Sequence, residues 1–243
     1  MTKIVKWAVY NLTFPTQYHM CSSLLRFQEY YESPRFRGKQ FGLEQYMDWY
    51  ASSRDGVFSY FDDWGGFNFP GYVLDQVNDF ENYPLGVKEG LVFSSVRAHS
   101  PNLWQCYVIG TVNGKDDGGL AHEMCHALYY LNPQYAKRVR KLIKARSSAL
   151  SPLYKWMKET AGYHSSVHSD EVNAYCCTGY PDELYQREGD TNTAGLSLHK
   201  AFCSLFEDEF GFPVDCIDDE SWVRKRTHTI PMKTKINKIK WSQ

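Results

Sequence analysis

The sequence predicts an α+β fold, in which an aromatic-rich N-terminal half with a small mixed sheet packs on a helical C-terminal half. Strand-like segments occur before residue 115 and mainly helix-like segments after it, and no repeat or low-complexity linker separates them. The 243 residues, 43% hydrophobic and 23% charged, suffice for a globular core. We expect one domain over 1–243, comprising a mixed α/β half (1–115), a helical half (116–220) and a basic C-terminal tail (221–243).

The first half opens with a β-rich alternating segment, Val5 to Phe14, which predicts a strand. Cys21 to Glu32 and Phe41 to Ser52 predict helices. Leu103 to Val112 is apolar and β-branched and stops at Asn113-Gly114, which predicts a strand closed by a turn.

Aromatic residues are concentrated in the first half, where they make up thirteen of the 43 residues from Phe41 to Tyr83. Such density is typical either of a core or of a wall that lines a substrate site. We favour the core, because aromatics at strand and helix spacing usually pack inside.

The second half contains five segments with helical patterns, several of which begin with a capping residue or a proline in the first turn. They are Asp117–Leu131, Pro133–Ala149, Pro152–Thr160, Ser169–Thr178 and Thr193–Glu209. Asp116 and Asp117 are candidate caps of the first, and Gly118-Gly119 leave its first turn open to a substrate.

Composition excludes several classes of protein. No apolar run approaches the roughly 20 residues that span a bilayer, and Met1 to Tyr10 does not resemble a signal peptide, so we expect a cytoplasmic protein without a membrane partner. The seven cysteines are odd in number and include no C-x-x-C, which favours buried thiols.

Positive charge is concentrated in the tail, where Ser221 to Gln243 carries seven Lys and Arg residues and no acid. This tail could contact nucleic acid, a membrane surface or an acidic partner, but we favour a tail that docks on the acidic body of its own chain or is solvated. A second basic run, Arg138 to Arg146, fits a solvated helix face, and without an aromatic platform it does not indicate nucleic-acid binding.

The motif that carries chemistry is His122-Glu123-Met124-Cys125-His126, an H-E-x-x-H. On a helix the two imidazoles lie one above the other and can ligate zinc, while Glu123 can act as general base toward a water molecule. At about 100° per residue both histidines fall opposite the apolar stripe. The alternative is two histidines on an ordinary solvated helix face.

A catalytic zinc usually needs a third protein ligand. Glu171, in the first turn of a helix that Ser169 can cap, is the strongest candidate, unless it serves only as a favourable charge at the helix N-terminus. The competing ligands, in descending order, are His168, Asp170, His164 and His199.

H-E-x-x-H followed by Glu171-Val172-Asn173-Ala174, an E-x-x-A, resembles the gluzincin branch of zinc metallopeptidases. The 45-residue step from His126 to Glu171 is similar to that of the anthrax lethal factor-like peptidases, and the E-x-x-A element also resembles the ImmA/IrrE peptidases. The resemblance covers roughly Asp117 to Tyr180 and does not reach the aromatic first half.

This resemblance implies a zincin-like fold with one Zn²⁺ per chain, held by His122, His126 and Glu171, and Glu123 as base. It implies a Tyr or His that stabilises the oxyanion, for which Tyr163 and His164 are the candidates. It also implies a protein or peptide substrate bound along an edge strand, and we expect Leu103–Val112 to be that strand.

Two other functions stay open beside the metallopeptidase. One is a zinc hydrolase of another amide or ester, because a three-ligand zinc site indicates metal-assisted attack by water but does not determine the substrate. The other is a catalytically silent module that binds a partner, which an intact Glu123 argues against.

Overall fold

A computed structural model describes residues 6–114, 119–179, 184 and 193–239, and over these residues it confirms the α+β prediction. The strands are β1 (Val9–Phe14), β2 (Phe67–Pro70), β3 (Tyr107–Val112) and β4 (His228–Pro231). The first six α-helices are α1 (Gln17–Glu32), α2 (Leu43–Ser52), α3 (Tyr60–Asp63), α4 (Tyr72–Asn78), α5 (Val87–Arg97) and α6 (Gly119–Leu131). The other six are α7 (Pro133–Ala145), α8 (Ser151–Trp156), α9 (His168–Thr178), α10 (Thr193–Phe210), α11 (Glu220–Arg226) and α12 (Lys233–Ile236).

Internal contacts divide the chain into two compact units. The first contains the chain up to Gly119 together with the segment from Arg224 onward. The second runs from Leu120 to Val223. The sheet belongs to the first unit and helices α7 to α10 to the second.

The sheet has the strand order β2-β3-β1-β4. β1 pairs in parallel with both β3 and β4, and β2 pairs antiparallel with β3. β3 is therefore an interior strand, and the expectation that Leu103–Val112 forms a substrate-binding edge is wrong. A continuous apolar run is typical of a strand that has neighbours on both sides. The backbone of β3 pairs with β1 on one side and with β2 on the other.

The C-terminal segment joins this sheet instead of lying free. His228 to Pro231 forms the edge strand β4, with Tyr10 opposite His228 and Leu12 opposite Ile230. Ile230, Met232 and Ile236 are buried in the same core. From Arg224 onward, the described part of the basic tail thus packs within the first unit.

The core of the first unit is largely aromatic. Phe41, Tyr46, Tyr60, Phe67 and Phe69 are all essentially inaccessible to solvent, which supports the core interpretation of the aromatic segment. Helix α1 packs close to β3, where a Cβ on Gly110 would collide with the Leu24 side chain. Glycine at this position allows the helix to approach the sheet.

The residues of the candidate site lie on two helices, α6 and α9. Helix α6 follows residues 115–118, so the predicted caps Asp116 and Asp117 lie outside the described residues. Helix α9 begins at His168 with Val167 in the cap position and no side-chain capping bond. Ser169 is therefore inside the first turn, and the prediction that it caps the helix is wrong.

No helix within the described ranges combines the length and apolarity that crossing a membrane requires. All seven cysteines lie within the described ranges and none of them forms a disulfide there, and five are buried.

Candidate metal centre

Helix α6 presents two imidazoles on one of its faces. His122 and His126 are separated by one helical turn, and their ring centroids lie 4.9 Å apart. His126 is only 1% exposed, and Glu123 between them is also buried. The alternative of two histidines on a solvated helix face therefore does not describe this helix, which is buried on its apolar and its polar side alike.

Helix α9 brings a carboxylate to these imidazoles. The Oε2 atom of Glu171 lies 3.9 Å from Nε2 of His122 and 3.7 Å from Nε2 of His126. One ligand atom from each of the three residues lies within 4.8 Å of the others. Glu171 is 3% exposed, and its Oε2 atom is buried without a hydrogen-bond partner among the described residues.

These separations fit a small cation that prefers nitrogen and oxygen ligands. Ligand atoms about 2.0–2.1 Å from a tetrahedral zinc lie roughly 3.3 Å from one another, so a slight contraction of the cluster would form such a site. Two imidazoles and one carboxylate are also a donor set typical of catalytic zinc. The residues present therefore fit the metal that the sequence predicts.

Thr178 orients the first imidazole. Its hydroxyl donates to the carbonyl oxygen of Ala174 at 2.9 Å, and its oxygen lies 3.3 Å from Nδ1 of His122. Because the hydroxyl proton is used, this oxygen accepts the Nδ1 proton of His122. The lone pair of His122 then lies on Nε2, the atom that faces Glu171.

Asp170 performs the corresponding task for the second imidazole. Its Oδ1 atom lies 2.9 Å from Nδ1 of His126, an ion-pair contact that is not aligned as a hydrogen bond. A carboxylate at this distance keeps a proton on Nδ1 and leaves Nε2 as the ligating atom. Adjacent residues of α9 thus contact the two nitrogens of one ring.

Electrostatics of the cluster also favour a cation. Burial opposes protonation of His126, but the charges of Asp170, Glu171 and Glu123 outweigh it and raise the pKa of His126 to about 10. Burial raises the pKa of Glu171 to about 8, against the attraction of His126. Burial, and then the charge of His126, hold the pKa of His122 well below its usual range. The three buried carboxyl groups would, when ionised, supply the negative charge that balances a divalent cation.

The two candidates for oxyanion stabilisation lie in different surroundings. The Tyr163 hydroxyl lies 3.2 Å from that of Tyr175, whose ring packs edge-on against His122 with centroids 4.8 Å apart. His164 instead contacts the Ser166 hydroxyl through Nδ1 at 2.8 Å, in an exposed turn. The structure thus links Tyr163 to the ligand set through one intermediate ring and places His164 in a local loop contact.

The competing third ligands have other contacts. Nε2 of His168 lies 3.1 Å from the carbonyl oxygen of Tyr163, and Nδ1 of His199 lies 2.9 Å from that of Cys176. Asp170 contacts the outer nitrogen of His126, as described above.

Sequence reasoning missed the supporting roles of Tyr175 and Thr178. Both follow Glu171 at helical spacing, at i+4 and i+7, so they share its face of α9. That spacing is the signal that could have found them. The sequence did not predict the orienting role of Asp170. An acid next to the proposed ligand is itself a possible ligand, so its residue type does not distinguish the two roles.

Comparison of the chain with protein-family models, with curated proteins and with solved structures found no match. The site therefore has to be interpreted from its own geometry and from the sequence motif.

Proposed function

We propose that this protein is a zinc-dependent metallopeptidase that hydrolyses a peptide bond in a protein or peptide substrate. The observation that carries the proposal is the convergence of both Nε2 atoms of the H-E-x-x-H helix on the buried Oε2 atom of Glu171, at 3.9 and 3.7 Å. The motif alone predicted two ligands and a base. The contact with Glu171 supports this residue as the third ligand that a catalytic site requires.

Residues His122, His126 and Glu171 would hold the metal. Zinc held by this ligand set supplies Lewis-acid activation of a water molecule and of a substrate carbonyl. The burial of His126, Glu171 and Asp170 keeps bulk water away from one side of the cluster. His122, whose side chain is 21% exposed, marks the side from which a substrate can approach.

Glu123 is the proposed general base. It is buried on the same helix turn as the two histidines, and its charge acts on both His126 and Glu171. Its carboxylate would accept a proton from the attacking water and return that proton to the leaving amine. A purely structural metal site has no use for a carboxylate between its two histidines.

Tyr163 is the proposed donor to the tetrahedral oxyanion, since its hydroxyl is connected to the ligand His122 through Tyr175. A hydroxyl held by a neighbouring phenol is already oriented before substrate binds. The ring of His164 instead contacts the Ser166 hydroxyl in an exposed turn.

Digestion of a peptide library tests the proposal. Zinc-loaded protein is incubated with a library made from a denatured proteome, and new termini are counted by mass spectrometry. We expect a defined set of cleavages that Glu123→Gln abolishes while its zinc content is unchanged. The matched control is Glu207→Gln, at an exposed carboxylate of α10, which should cleave like wild type. If Glu123→Gln cleaves as well as wild type, Glu123 is not the general base. If zinc-loaded protein cleaves only esters or non-peptide amides, the protein is another kind of zinc hydrolase and not a peptidase.

A further inference from the structure

The first unit contains an open cavity of about 620 Å³ beside the start of helix α1. Residues from three separate parts of the chain line it: Tyr18, His19, Lys88, Ile236, Asn237 and Ile239. All of them belong to the unit that contains the sheet, whereas His122, His126 and Glu171 belong to the other unit.

A fixed positive charge lies in the wall of this cavity. The Nζ atom of Lys88 donates to the Ser22 hydroxyl oxygen at 2.7 Å and lies 4.3 Å from the centre of the Tyr18 ring. Ser22 can accept this bond because its own proton goes to the carbonyl oxygen of Tyr18 at 2.6 Å. Lys88 is therefore held in one place by a hydroxyl and an aromatic face.

No carboxylate within the described ranges lies at ion-pair distance from Lys88. The lysine is partly buried, with its charge in a concave surface rather than extended into solvent. A long, flexible lysine loses side-chain entropy when it is fixed in this way, and neither a hydroxyl nor a ring neutralises its charge. An anionic ligand would supply the missing charge.

The other polar wall of the cavity is His19. Its Nδ1 atom lies 2.7 Å from the hydroxyl oxygen of Thr16, which already accepts the backbone N–H of His19. Burial and the nearby charge of Lys88 lower the pKa of His19, which favours the neutral form of this imidazole. The cavity therefore offers one full positive charge together with neutral polar groups.

Two isoleucines and Asn237 form the remaining wall. Ile236 is buried in the core of the unit, and Ile239 packs against that core while lining the cavity. A single fixed ammonium beside isoleucine and tyrosine side chains matches a monoanion with an apolar body. It matches a phosphate dianion less well, because such an ion usually takes several cationic or backbone donors.

We propose that this cavity binds a small organic acid, with the carboxylate on Lys88 and the apolar body against Ile236, Ile239 and Tyr18. The site combines apolar side chains with placed polar groups, both of which small-molecule sites use. It is independent of the metal centre, so either proposal can fail without the other.

Binding of 4-phenylbutyrate, followed by saturation-transfer-difference NMR with full-length protein, tests this proposal. The neutral analogue 4-phenylbutanol and inorganic phosphate are titrated in parallel. We expect 4-phenylbutyrate to bind at least about tenfold more tightly than either, because the ion contact and the apolar contacts are both required. Equal binding of the alcohol would show that Lys88 contributes nothing, and phosphate binding as tight as that of the acid would overturn the assignment to an organic acid.

The matched variants are Lys88→Gln and Lys144→Gln, the latter at an exposed lysine of α7 in the other unit. Lys88→Gln should weaken 4-phenylbutyrate at least about tenfold, whereas Lys144→Gln should bind like wild type. Unchanged affinity in Lys88→Gln would overturn the proposal. If Lys88→Gln does not fold, reductively ¹³C-methylated wild type replaces it: the Lys88 methyl signal must shift on titration, and an unmoved signal contradicts the site.

Discussion

Asp170 Oδ1 lies 2.9 Å from His126 Nδ1, so the residue that precedes one proposed metal ligand orients another. The opposite nitrogen of the same ring lies 3.7 Å from Glu171. Two consecutive acids at the start of α9 therefore contact opposite nitrogens of one imidazole of α6. The arrangement makes the position of the His126 ring depend on both carboxylates, and it separates a ligating role from an orienting role.

Asp170→Asn is expected to weaken zinc binding about 10- to 100-fold without removing a ligand, because the amide no longer polarises the Nδ1 proton of His126. Titration of zinc-loaded protein with a competing chelator measures the change. Asp208→Asn, at an exposed acid of α10, is the control and should retain wild-type affinity. An Asp170→Asn protein that binds zinc as tightly as wild type would show that the 2.9 Å contact does not support the ligand.

Tyr163→Phe should lower kcat about 10²-fold or more with little change in zinc content, since it removes the proposed oxyanion donor but no ligand. His164→Ala should leave kcat nearly unchanged, because Nδ1 of its ring contacts the Ser166 hydroxyl in an exposed turn. Steady-state kinetics on a peptide identified from the library would compare the two variants. The reverse pattern, a slow His164→Ala and an active Tyr163→Phe, would transfer the role to His164.

Glu29 makes the stability of the first unit depend on pH. Burial raises the pKa of its carboxyl from 4.5 to about 7, although the Tyr60 hydroxyl donates to it at 2.8 Å. The folded state therefore prefers protonated Glu29, so its contribution to the free energy of unfolding is complete below about pH 4.5 and is lost as the pH rises to about 7.

Glu29→Gln should remove this dependence. We expect the free energy of unfolding of the variant, relative to wild type, to increase by roughly 3 kcal/mol between about pH 4.5 and 7.5, and then to level off. Urea unfolding at a series of pH values measures the difference, in which contributions from other titrating groups cancel. A difference that is constant over this range would contradict the raised pKa.

Gly110→Ala should destabilise the protein by about 1–3 kcal/mol, because the added Cβ collides with the Leu24 side chain between α1 and β3. Gly90→Ala is the control, since a Cβ there meets no other atom within 4 Å in helix α5 and should be neutral or stabilising. Thermal unfolding followed by circular dichroism compares both variants with wild type. A Gly110→Ala protein as stable as Gly90→Ala would show that the helix does not need this close approach.

Local patterns predicted the elements that carry the candidate site. Helical spacing indicated the helix of His122 and His126, and the predicted helix Ser169–Thr178 contains Glu171 as expected. The strand at Leu103–Val112 was also predicted, although the structure begins it at Tyr107 after a short 3₁₀ turn at Leu103–Gln105. These features depend on neighbours in the sequence, which periodicity detects.

Features that depend on distant residues were not predictable in this way. Strands β2 and β4 have only four residues each, too few for a periodic signal, and they form because β3 and β1 offer open edges. Because β2 pairs with β3, the strand predicted to lie at the edge of the sheet is an interior strand. The contact of Asp170 with His126 joins residues 44 positions apart, so only the packing of α9 on α6 reveals it.

The most direct test of the central claim is the metal content of purified full-length protein, measured by elemental analysis after zinc is supplied and the excess removed. We predict about one zinc per chain in wild type and in the control Glu207→Ala, and loss of stoichiometric zinc in His126→Ala and Glu171→Ala. Folded wild-type protein without stoichiometric metal would contradict the metal centre, and full zinc in Glu171→Ala would contradict Glu171 as the third ligand.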